Sequence, residues 1–294
     1  MRLMYYKKPN FGDKLNELIF PSILPEFFND DDTLDFFGIG SILGFQMVRN
    51  SKQKIIFSSG FAYGKKPFID DTFDIISLRG PLTAKVLNVD KKLAITDGAL
   101  LLKKFQYTEE KKYKFSFMPH WTSEEKFDWR SFCKICDINY ISPMTNDVEQ
   151  TIKQICQSEV LISEALHGVI VADTYRIPWI PVKAYEGISN FKWNDWASSM
   201  NVSYEFMHVN SMFDKNEFTK NIFRERFGTK ISKISFNTIM SVYEMYKNNY
   251  LLDKVIKKFE VLKLSRQYLS DDSILKINYN RLLEKLYFFE NKYS

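Results

Sequence analysis

Short apolar runs alternate with helical patterns through the first two hundred residues, and this alternation constrains the fold more than any other feature. It is typical of strands joined by crossover helices, and therefore predicts an α/β fold with parallel sheets. Before a charged stretch at residues 103–114, the predicted strands cover residues 3–6, 35–39, 54–59, 73–78 and 93–96. After it, they cover residues 113–118, 138–141, 160–162 and 177–182. We therefore expect two sheet domains, residues 1–105 and 113–214, joined by the charged stretch.

The remaining segment, residues 215–294, differs from the rest in pattern and in charge. From residue 234 onward, apolar residues recur at spacings of three and four, which predicts helices whose apolar faces dock on the body. Ser270 or Asp271 is expected to cap the last helix. The segment carries 16 Lys and Arg against 9 Asp and Glu, whereas residues 1–214 carry 25 against 27. The positive excess of the chain therefore lies in this basic tail.

The three cysteines, Cys133, Cys136 and Cys156, leave one thiol over in any disulfide scheme, which argues against a disulfide-stabilised secreted protein. The spacing of Cys133 and Cys136 occurs in redox and zinc sites, but no second Cys pair accompanies it, so buried inert thiols are expected. No run approaches the roughly 20 apolar residues of a membrane span, and the first residues lack the apolar core of a signal peptide. We expect a soluble protein of the reducing cytoplasm.

Four segments with unusual chemistry begin where predicted strands end: residues 10–16, 79–84, 119–123 and 163–168. In open α/β sheets, ligands bind beyond the carboxyl ends of the strands, where helix N-termini offer free N–H groups to anions. The segments supply a guanidinium, two imidazoles, two carboxylates and three glycines that allow close backbone approach: Arg79, His120, His167, Asp13, Glu164, Gly12, Gly80 and Gly168. This set suits an anionic substrate and a step that moves a proton.

Three of these side chains also have structural alternatives. Arg79 could be an ion-pair partner inside the protein, because a buried guanidinium needs a counter-charge. His120 could cap a helix or lie at the edge of the core, and His167 could be a hydrogen-bonded histidine at a helix start.

Taken together and in order, the motifs resemble those of the polysaccharide pyruvyltransferase family, and most closely its succinoglycan-type exopolysaccharide members. The likeness covers roughly residues 5–185. The motifs that carry it are Asn10-Phe-Gly-Asp-Lys-Leu-Asn16, Gly38-Ile-Gly-Ser-Ile-Leu43, Ser59-Gly-Phe-Ala-Tyr-Gly64, Leu78-Arg-Gly-Pro-Leu-Thr-Ala84, Thr96-Asp-Gly-Ala99, Pro119-His120, and Ser163-Glu-Ala-Leu-His-Gly-Val-Ile-Val-Ala-Asp173 with Arg176-Ile-Pro-Trp179.

The resemblance implies two Rossmann-like domains facing a cleft, similar to the GT-B glycosyltransferase arrangement. It also implies transfer of pyruvate from phosphoenolpyruvate onto a sugar as a cyclic ketal. Some members carry an Arg-Leu-His triplet in the last motif, in which the Arg grips the donor and the His acts as an acid. Here Ala165 stands at the Arg position, so only His167 carries over. Arg176 and Lys183 are candidates to replace the missing cation.

The residue chemistry agrees with this assignment. We expect His167 to protonate the enol carbon of the donor, because an imidazole gives and recovers protons near neutral pH. Asp13 or Glu164 would accept the proton of the attacking sugar hydroxyl, or orient the sugar. The predicted donor contacts are Arg79, which can contact an oxyanion bidentately, together with His120, Gly12, Gly80 and Gly168. The chemistry needs neither a cofactor nor a metal.

Sugar rings stack on flat apolar faces, so Trp121 and Trp179 are the predicted acceptor contacts. Trp193 and Trp196 also lie near candidate loops, and burial in the core is expected for at least half of the four. Two other functions stay open. A GT-B nucleotide-sugar glycosyltransferase would share the cleft and bind a UDP- or GDP-sugar. A non-catalytic subunit of a capsule-synthesis complex would account for the Arg lost at Ala165.

For a sugar-modifying body, nucleic acid is not an expected partner of the basic tail. Its Lys-rich face would either be solvated or rest on anionic lipid at the inner face of the membrane, where a lipid-linked acceptor would be found. The second alternative relies on an attraction of roughly 1 kcal/mol per basic residue near such a surface.

Overall fold

The computed structural model describes residues 1–29, 31–184, 187–209 and 252–294. Within these residues the strands form two all-parallel sheets, with helices between most successive strands but none between the third and fourth strands of the first sheet. This confirms the predicted α/β class and is compatible with two Rossmann-like units. The first sheet lies within residues 2–78 and the second within residues 113–208. The domain boundaries proposed from the sequence stay predictions.

The first sheet has four strands in the order β1-β2-β3-β4. They are β1 (Arg2–Met4), β2 (Asp35–Phe37), β3 (Lys54–Ser59) and β4 (Phe73–Leu78). The helices that follow β1, β2 and β4 are α1 (Phe11–Ile23), α2 (Gln46–Asn50) and α3 (Pro81–Leu87). Strands β3 and β4 have the predicted bounds, and Pro81 occupies the first turn of α3, where its missing N–H leaves no bond unmade.

The strand predicted at residues 93–96 is wrong. The side chain of Asp90 accepts a hydrogen bond from the backbone of Lys92 and starts a 3-10 turn at Lys91–Leu93, so the backbone turns where the strand was expected to begin. Only Ala94 pairs with β4, in an isolated bridge to Leu78. A longer 3-10 helix, Gly98–Lys104, follows and leads into the connection to the second sheet.

The second sheet has five strands in the order β6-β5-β7-β8-β9. They are β5 (Tyr113–Met118), β6 (Asn139–Tyr140), β7 (Ser158–Ser163), β8 (Trp179–Lys183) and β9 (Met207–His208). The helices of this half are α4 (Trp121–Glu124), α5 (Trp129–Ile135), α6 (Val148–Cys156), α7 (Leu166–Thr174) and α8 (Asn190–Ser199). Strand β5 has the predicted bounds, whereas the two-residue edge strand β9 was not predicted.

Two helices of the basic tail pack on the body: α9 (Leu252–Lys263) and α10 (Asp272–Tyr293). Phe259 of α9 packs edge-on against Phe132 in the second half, with ring centroids 4.8 Å apart. Phe289 of α10 packs against Phe36 of β2 at 5.4 Å. The tail therefore contacts both halves. Of the two predicted caps, Asp271 accepts from the backbone of Ser273 and caps α10. The tail residues before position 252 lie outside the described residues.

The three cysteines are free and buried, as predicted. Burial raises the pKa of Cys136 to about 11 and that of Cys156 to about 12, so these thiols stay protonated near neutral pH and are poor nucleophiles. Among the described helices, none is both long and apolar enough to cross a membrane.

Candidate active site

A cavity of about 840 Å³ lies beyond the carboxyl ends of both sheets. Its lining comes from segments that follow β1, β2 and β3 in the first sheet and β5, β6, β7 and β8 in the second. This is the predicted location for a ligand, and the volume is that of a small-molecule site. The lining includes Tyr6, Asn10, Gly12, Asp13, Ser41, Phe45, Tyr63, His120, Trp121, Ala165, His167 and Lys192.

Asp13 reaches the cavity from the first turn of α1. Asn10 caps this helix by accepting a hydrogen bond from the backbone of Gly12, and its Nδ2 atom donates to Oδ2 of Asp13 at 3.0 Å. Burial raises the pKa of Asp13 to about 6, although the nearby charges of His167 and Lys192 oppose this shift. Its carboxyl group therefore changes protonation close to neutral pH, as a general base requires.

His167 reaches the cavity from the first turn of α7, directly after β7. Its ring packs on the backbone of Gly12, where a Cβ atom would lie 1.9 Å from Nδ1. Only glycine leaves room for the imidazole, so Gly12 serves the site by close approach. On the other edge of the ring, Nε2 lies 3.6 Å from Oδ2 of Asp97.

Asp97 was missed as a site residue. It is fully buried, and its Oδ1 atom caps the 3-10 helix by accepting from the backbone of Ala99 at 3.0 Å. The sequence placed it in a motif after a predicted strand, which was a usable signal. A capping Asp is common, however, and nothing local ties it to a histidine far along the chain.

Lys192 was also missed. It lies in the first turn of α8, and its Nζ atom is 3.4 Å from Nε2 of His120. Burial and the charge of Arg79 lower the pKa of Lys192 to about 8, whereas Asp13 and Glu164 oppose this shift. A lysine in the first turn of a helix is opposed by the helix dipole. That unfavourable position was the sequence signal that could have identified it.

His120 caps α4, as its structural alternative predicted. Its Nδ1 atom accepts from the backbone N–H of Thr122 at 3.3 Å, so its hydrogen is assigned to Nε2. Burial and the charge of Lys192 hold the pKa of His120 well below its usual range, so the ring is neutral. Nε2 of His120 and the Lys192 ammonium are then two donors 3.4 Å apart, and such a pair attracts an oxyanion.

Arg79 does not line the cavity. It is fully buried, and its Nε atom donates to Oδ2 of Asp195 at 2.9 Å. Its Nη1 atom donates to Oγ of Ser41 at 2.5 Å, and its Nη2 atom to the carbonyl of Phe61 at 2.8 Å. In this position Arg79 forms an internal ion pair with Asp195. It does not make the predicted direct contact with the phosphate of the donor. The charge of Arg79 reaches the cavity through its effect on Lys192.

Glu164, Gly80 and Gly168 also lie behind the cavity wall. Glu164 is fully buried and accepts backbone hydrogen bonds from Ala184 at 2.7 Å and His120 at 3.1 Å, so it orders two loops of the site. A Cβ atom at Gly80 would lie 2.1 Å from the carbonyl oxygen of Asp195, and one at Gly168 would lie 2.7 Å from Sδ of Met118. These glycines permit internal packing and do not offer the expected donor contact.

The tryptophans divide between the cavity and the core. Trp121 lines the cavity, and Nζ of Lys8 lies 5.1 Å from its ring centroid. Trp179 is fully buried and stacks on Tyr268 at 5.3 Å, so the structure places it in the core and not at the predicted acceptor face. Trp193 and Trp196 are buried as well, as expected for at least half of the four.

The two candidates to replace the Arg lost at Ala165 lie elsewhere. Arg176 donates to the carbonyl of Ser270 and pairs with Asp272. Lys183 is buried, with Nζ 3.5 Å from Oδ1 of Asn190. Neither lines the cavity, whereas Lys192 does. Within the described ranges, no group of three or more His, Cys, Asp or Glu is arranged to hold a metal ion.

Comparison with known proteins gives two matches. A family model described as "Polysaccharide pyruvyl transferase" matches residues 6–184, a segment that contains Asp13, Asp97 and His167 but ends before Lys192. The succinoglycan biosynthesis protein ExoV of Rhizobium meliloti (strain 1021) is 38% identical over 200 residues, which are 66% of this chain. The chain spans 63% of the length of that relative. No solved structure matches.

Proposed function

Because this chain belongs to the polysaccharide pyruvyl transferase family, we propose that it transfers pyruvate from phosphoenolpyruvate to a sugar of an exopolysaccharide or its lipid-linked precursor. The product is a cyclic ketal. The proposal depends on three features that line one cavity. They are the imidazole of His167, the carboxyl group of Asp13 with its near-neutral pKa, and the pair of anion-binding donors on His120 and Lys192.

Phosphoenolpyruvate carries a phosphate and a carboxylate, so its site needs donors for two anionic groups. The adjacent Nε2 of His120 and Nζ of Lys192 suit one of them. The first turn of α7 suits the other, because its N-cap, Ala165, supplies no side-chain hydrogen bond to the backbone N–H groups there. In this assignment Lys192 supplies the positive charge that the Arg of the Arg-Leu-His triplet supplies in some members.

The chemistry divides between His167 and Asp13. His167 gives a proton to the methylene carbon of the enol, and a sugar hydroxyl attacks the adjacent carbon while Asp13 accepts its proton. The C–O bond to phosphate then breaks. The phosphate leaves toward His120 and Lys192 and takes the proton that Asp13 accepted, which restores the Asp13 carboxylate. A second hydroxyl closes the ring, and its proton returns to His167. One phosphate is released for each ketal formed, with no change of oxidation state.

Aromatic side chains in the cavity suit the acceptor. Tyr6, Phe45, Tyr63 and Trp121 are among the lining residues, and sugar rings stack well on aromatic faces. Lys8 lies over the rings of Tyr6 and Trp121, at 5.7 Å and 5.1 Å from their centroids. We assign Trp121 as the first acceptor contact.

The proposal also covers the arrangement of the two sheets and the location of the protein in the cell. The two sheets would form a GT-B-like pair facing the cleft, and the protein would act in the cytoplasm, where phosphoenolpyruvate is made. The +7 charge of residues 215–294 supports peripheral contact with anionic lipid, where a lipid-linked acceptor would be presented. Vesicle co-sedimentation that depends on anionic lipid and falls with salt would support this contact.

The test is mass spectrometry of candidate lipid-linked sugars incubated with the protein and phosphoenolpyruvate. We expect addition of one pyruvate ketal and release of phosphate, both lost in His167→Ala. His208→Ala is the matched control, because His208 is an exposed histidine at the sheet edge. A thermal shift with nucleotide sugars and none with phosphoenolpyruvate would instead identify a glycosyltransferase.

A further inference from the structure

Two buried polar atoms face each other behind the cavity, 3.6 Å apart: Oδ2 of Asp97 and Nε2 of His167. Neither has a hydrogen-bond partner among the described residues. A buried carboxylate oxygen without a partner is costly and uncommon in native proteins. The separation suits an ion pair but exceeds a hydrogen bond, and catalytic hydrogen bonds are often long before substrate binds.

Asp97 and His167 are each also held by a contact at the edge that faces away from the other. Oδ1 of Asp97 is fixed by its hydrogen bond from Ala99, so the carboxylate cannot turn away without uncapping the 3-10 helix. The imidazole of His167 packs on the backbone of Gly12 at its Nδ1 edge. Gly12 and His167 both line the cavity, so the Nδ1 edge lies at its wall, whereas Nε2 is buried against Asp97. Nδ1 is therefore the nitrogen that is placed to reach a substrate.

The charged and titratable groups around His167 come from four segments. Asp97 faces Nε2 from the 3-10 helix, and Asp13 of α1 is close enough for His167 to affect its pKa. Lys192 of α8 and the neutral His120 before α4 line the same cavity. Asp97 is the group set directly against the ring, so its charge acts most strongly on the imidazolium.

We infer that Asp97 is a positioning residue for His167: its carboxylate holds Nε2–H and thereby presents Nδ1–H of the imidazolium to the enol carbon. Proton transfer to the enol carbon rests on the proposed function, whereas the contact between Asp97 and His167 does not depend on it. In the protonation step, the Nδ1–H bond breaks and a C–H bond forms with the enol π electrons. The neutral ring keeps its hydrogen on Nε2, facing Asp97, and regains the Nδ1 proton from the second sugar hydroxyl.

The decisive variant is Asp97→Asn, which keeps the shape and the capping oxygen. Its amide would offer N–H to Nε2, so Nε2 would have to accept and the ring would stay neutral with its hydrogen on Nδ1. We expect the titration midpoint of the His167 imidazole, followed by NMR, to fall by about one pH unit. We expect kcat to fall at least about tenfold with the KM for phosphoenolpyruvate within about twofold.

Three further variants make the result interpretable. The chain has three histidines, so the signal missing from His167→Gln identifies the resonance. Asp173→Asn is the matched control, because Asp173 is a buried carboxylate on α7, the helix that carries His167. It accepts hydrogen bonds from Trp179 and Ser270, and its replacement should leave the His167 titration unchanged. Asp97→Ser keeps a capping oxygen without a carboxylate, and should lower the midpoint as Asp97→Asn does.

An unchanged His167 titration in folded Asp97→Asn or Asp97→Ser would overturn the inference. The titration is measured without substrate, so it stays informative whatever reaction the protein performs. Absence of pyruvylation by the wild-type protein would overturn the proposed function, and would leave the link between Asp97 and the His167 proton to be judged on the NMR result.

Discussion

The Nε atom of Arg79 lies 2.9 Å from Oδ2 of Asp195, and both side chains are fully buried. Arg79 follows β4 of the first sheet, whereas Asp195 belongs to α8 of the second half. Asp195 also accepts hydrogen bonds from the backbone and hydroxyl of Thr83 in α3. Lys192 lies one turn earlier on α8, so this ion pair fixes the helix that brings the ammonium to the cavity.

Loss of either partner should therefore destabilise the protein. Asp195→Asn or Arg79→Ala leaves a buried charge without its counter-charge, and should lower the free energy of unfolding by about 3–5 kcal/mol. Urea denaturation measures this. Lys292→Ala is the control: it removes an exposed pair with Asp74 and should cost less than about 1 kcal/mol. A wild-type urea midpoint in Arg79→Ala, with only donor affinity reduced, would instead mean that Arg79 contacts the donor.

Gly12→Ala should abolish activity by displacing His167. The added Cβ atom would lie 1.9 Å from Nδ1, so the imidazole must move out of its position. Because the effect acts through His167, the double variant with His167→Ala should be no less active than His167→Ala alone. Phosphate release from phosphoenolpyruvate with acceptor present measures all three. Additive losses would mean that Gly12 has a separate role, such as contact with the donor.

The pH dependence of kcat/KM should be bell-shaped. Asp13, with a pKa of about 6, must lose its proton to act as a base, so activity rises through that pH. Lys192, with a pKa of about 8, must keep its proton to hold an anion, so activity falls above that pH. Lys192→Arg keeps the charge to higher pH and should move the alkaline limb upward while leaving the acid limb in place. An alkaline limb that does not move would assign that limb to another acid of the site, such as the His167 imidazolium, and not to Lys192.

The features predicted correctly from the sequence are those that depend on local residue patterns. Strands β3, β4 and β5 were located to the residue, because runs of apolar and β-branched side chains bounded by turn residues mark buried strands. The site was predicted at the strand ends because ligands bind beyond the carboxyl ends of parallel strands, and His167, Asp13, His120 and Trp121 do line one cavity.

What the sequence could not show depends on contacts between distant segments. Arg79 and Asp195 are 116 residues apart, and only the packing of α8 against the first half joins them. The pairing of Asp97 with His167 has the same origin. Trp179 was misplaced because the residue type alone does not tell a core tryptophan from one at a sugar-binding face. Its burial, its hydrogen bond to Asp173 and its stack on Tyr268 place it in the core.

Asp13→Asn should stabilise the protein while inactivating it. The folded carboxyl, with a pKa of about 6, binds its proton more tightly than in the unfolded chain, where the pKa is near 3.8. Folding therefore takes up a proton between these values, so stability falls as pH rises through about 4 to 6 and stays lower above. Asparagine lacks this penalty, and should raise the free energy of unfolding by about 1–3 kcal/mol at pH 8 and by little at pH 4. If Asp13→Asn changed the free energy of unfolding equally at both pH values, burial of the charged Asp13 carboxylate would not be what destabilises the protein.

Lys192→Ala should raise the KM for phosphoenolpyruvate by about 10- to 100-fold, since a charge-assisted hydrogen bond contributes about 1.5–3 kcal/mol. Ala165 lines the same cavity, two residues before His167, where the resemblance places the Arg of the Arg-Leu-His triplet. Adding Ala165→Arg to the Lys192→Ala protein should therefore restore part of the lost affinity, because a guanidinium there returns a cation to the donor site. Lys257→Ala, on the exposed side of α9, is the charge-matched control and should leave KM unchanged. If the double variant binds the donor no better than Lys192→Ala, the two positions do not share one anion.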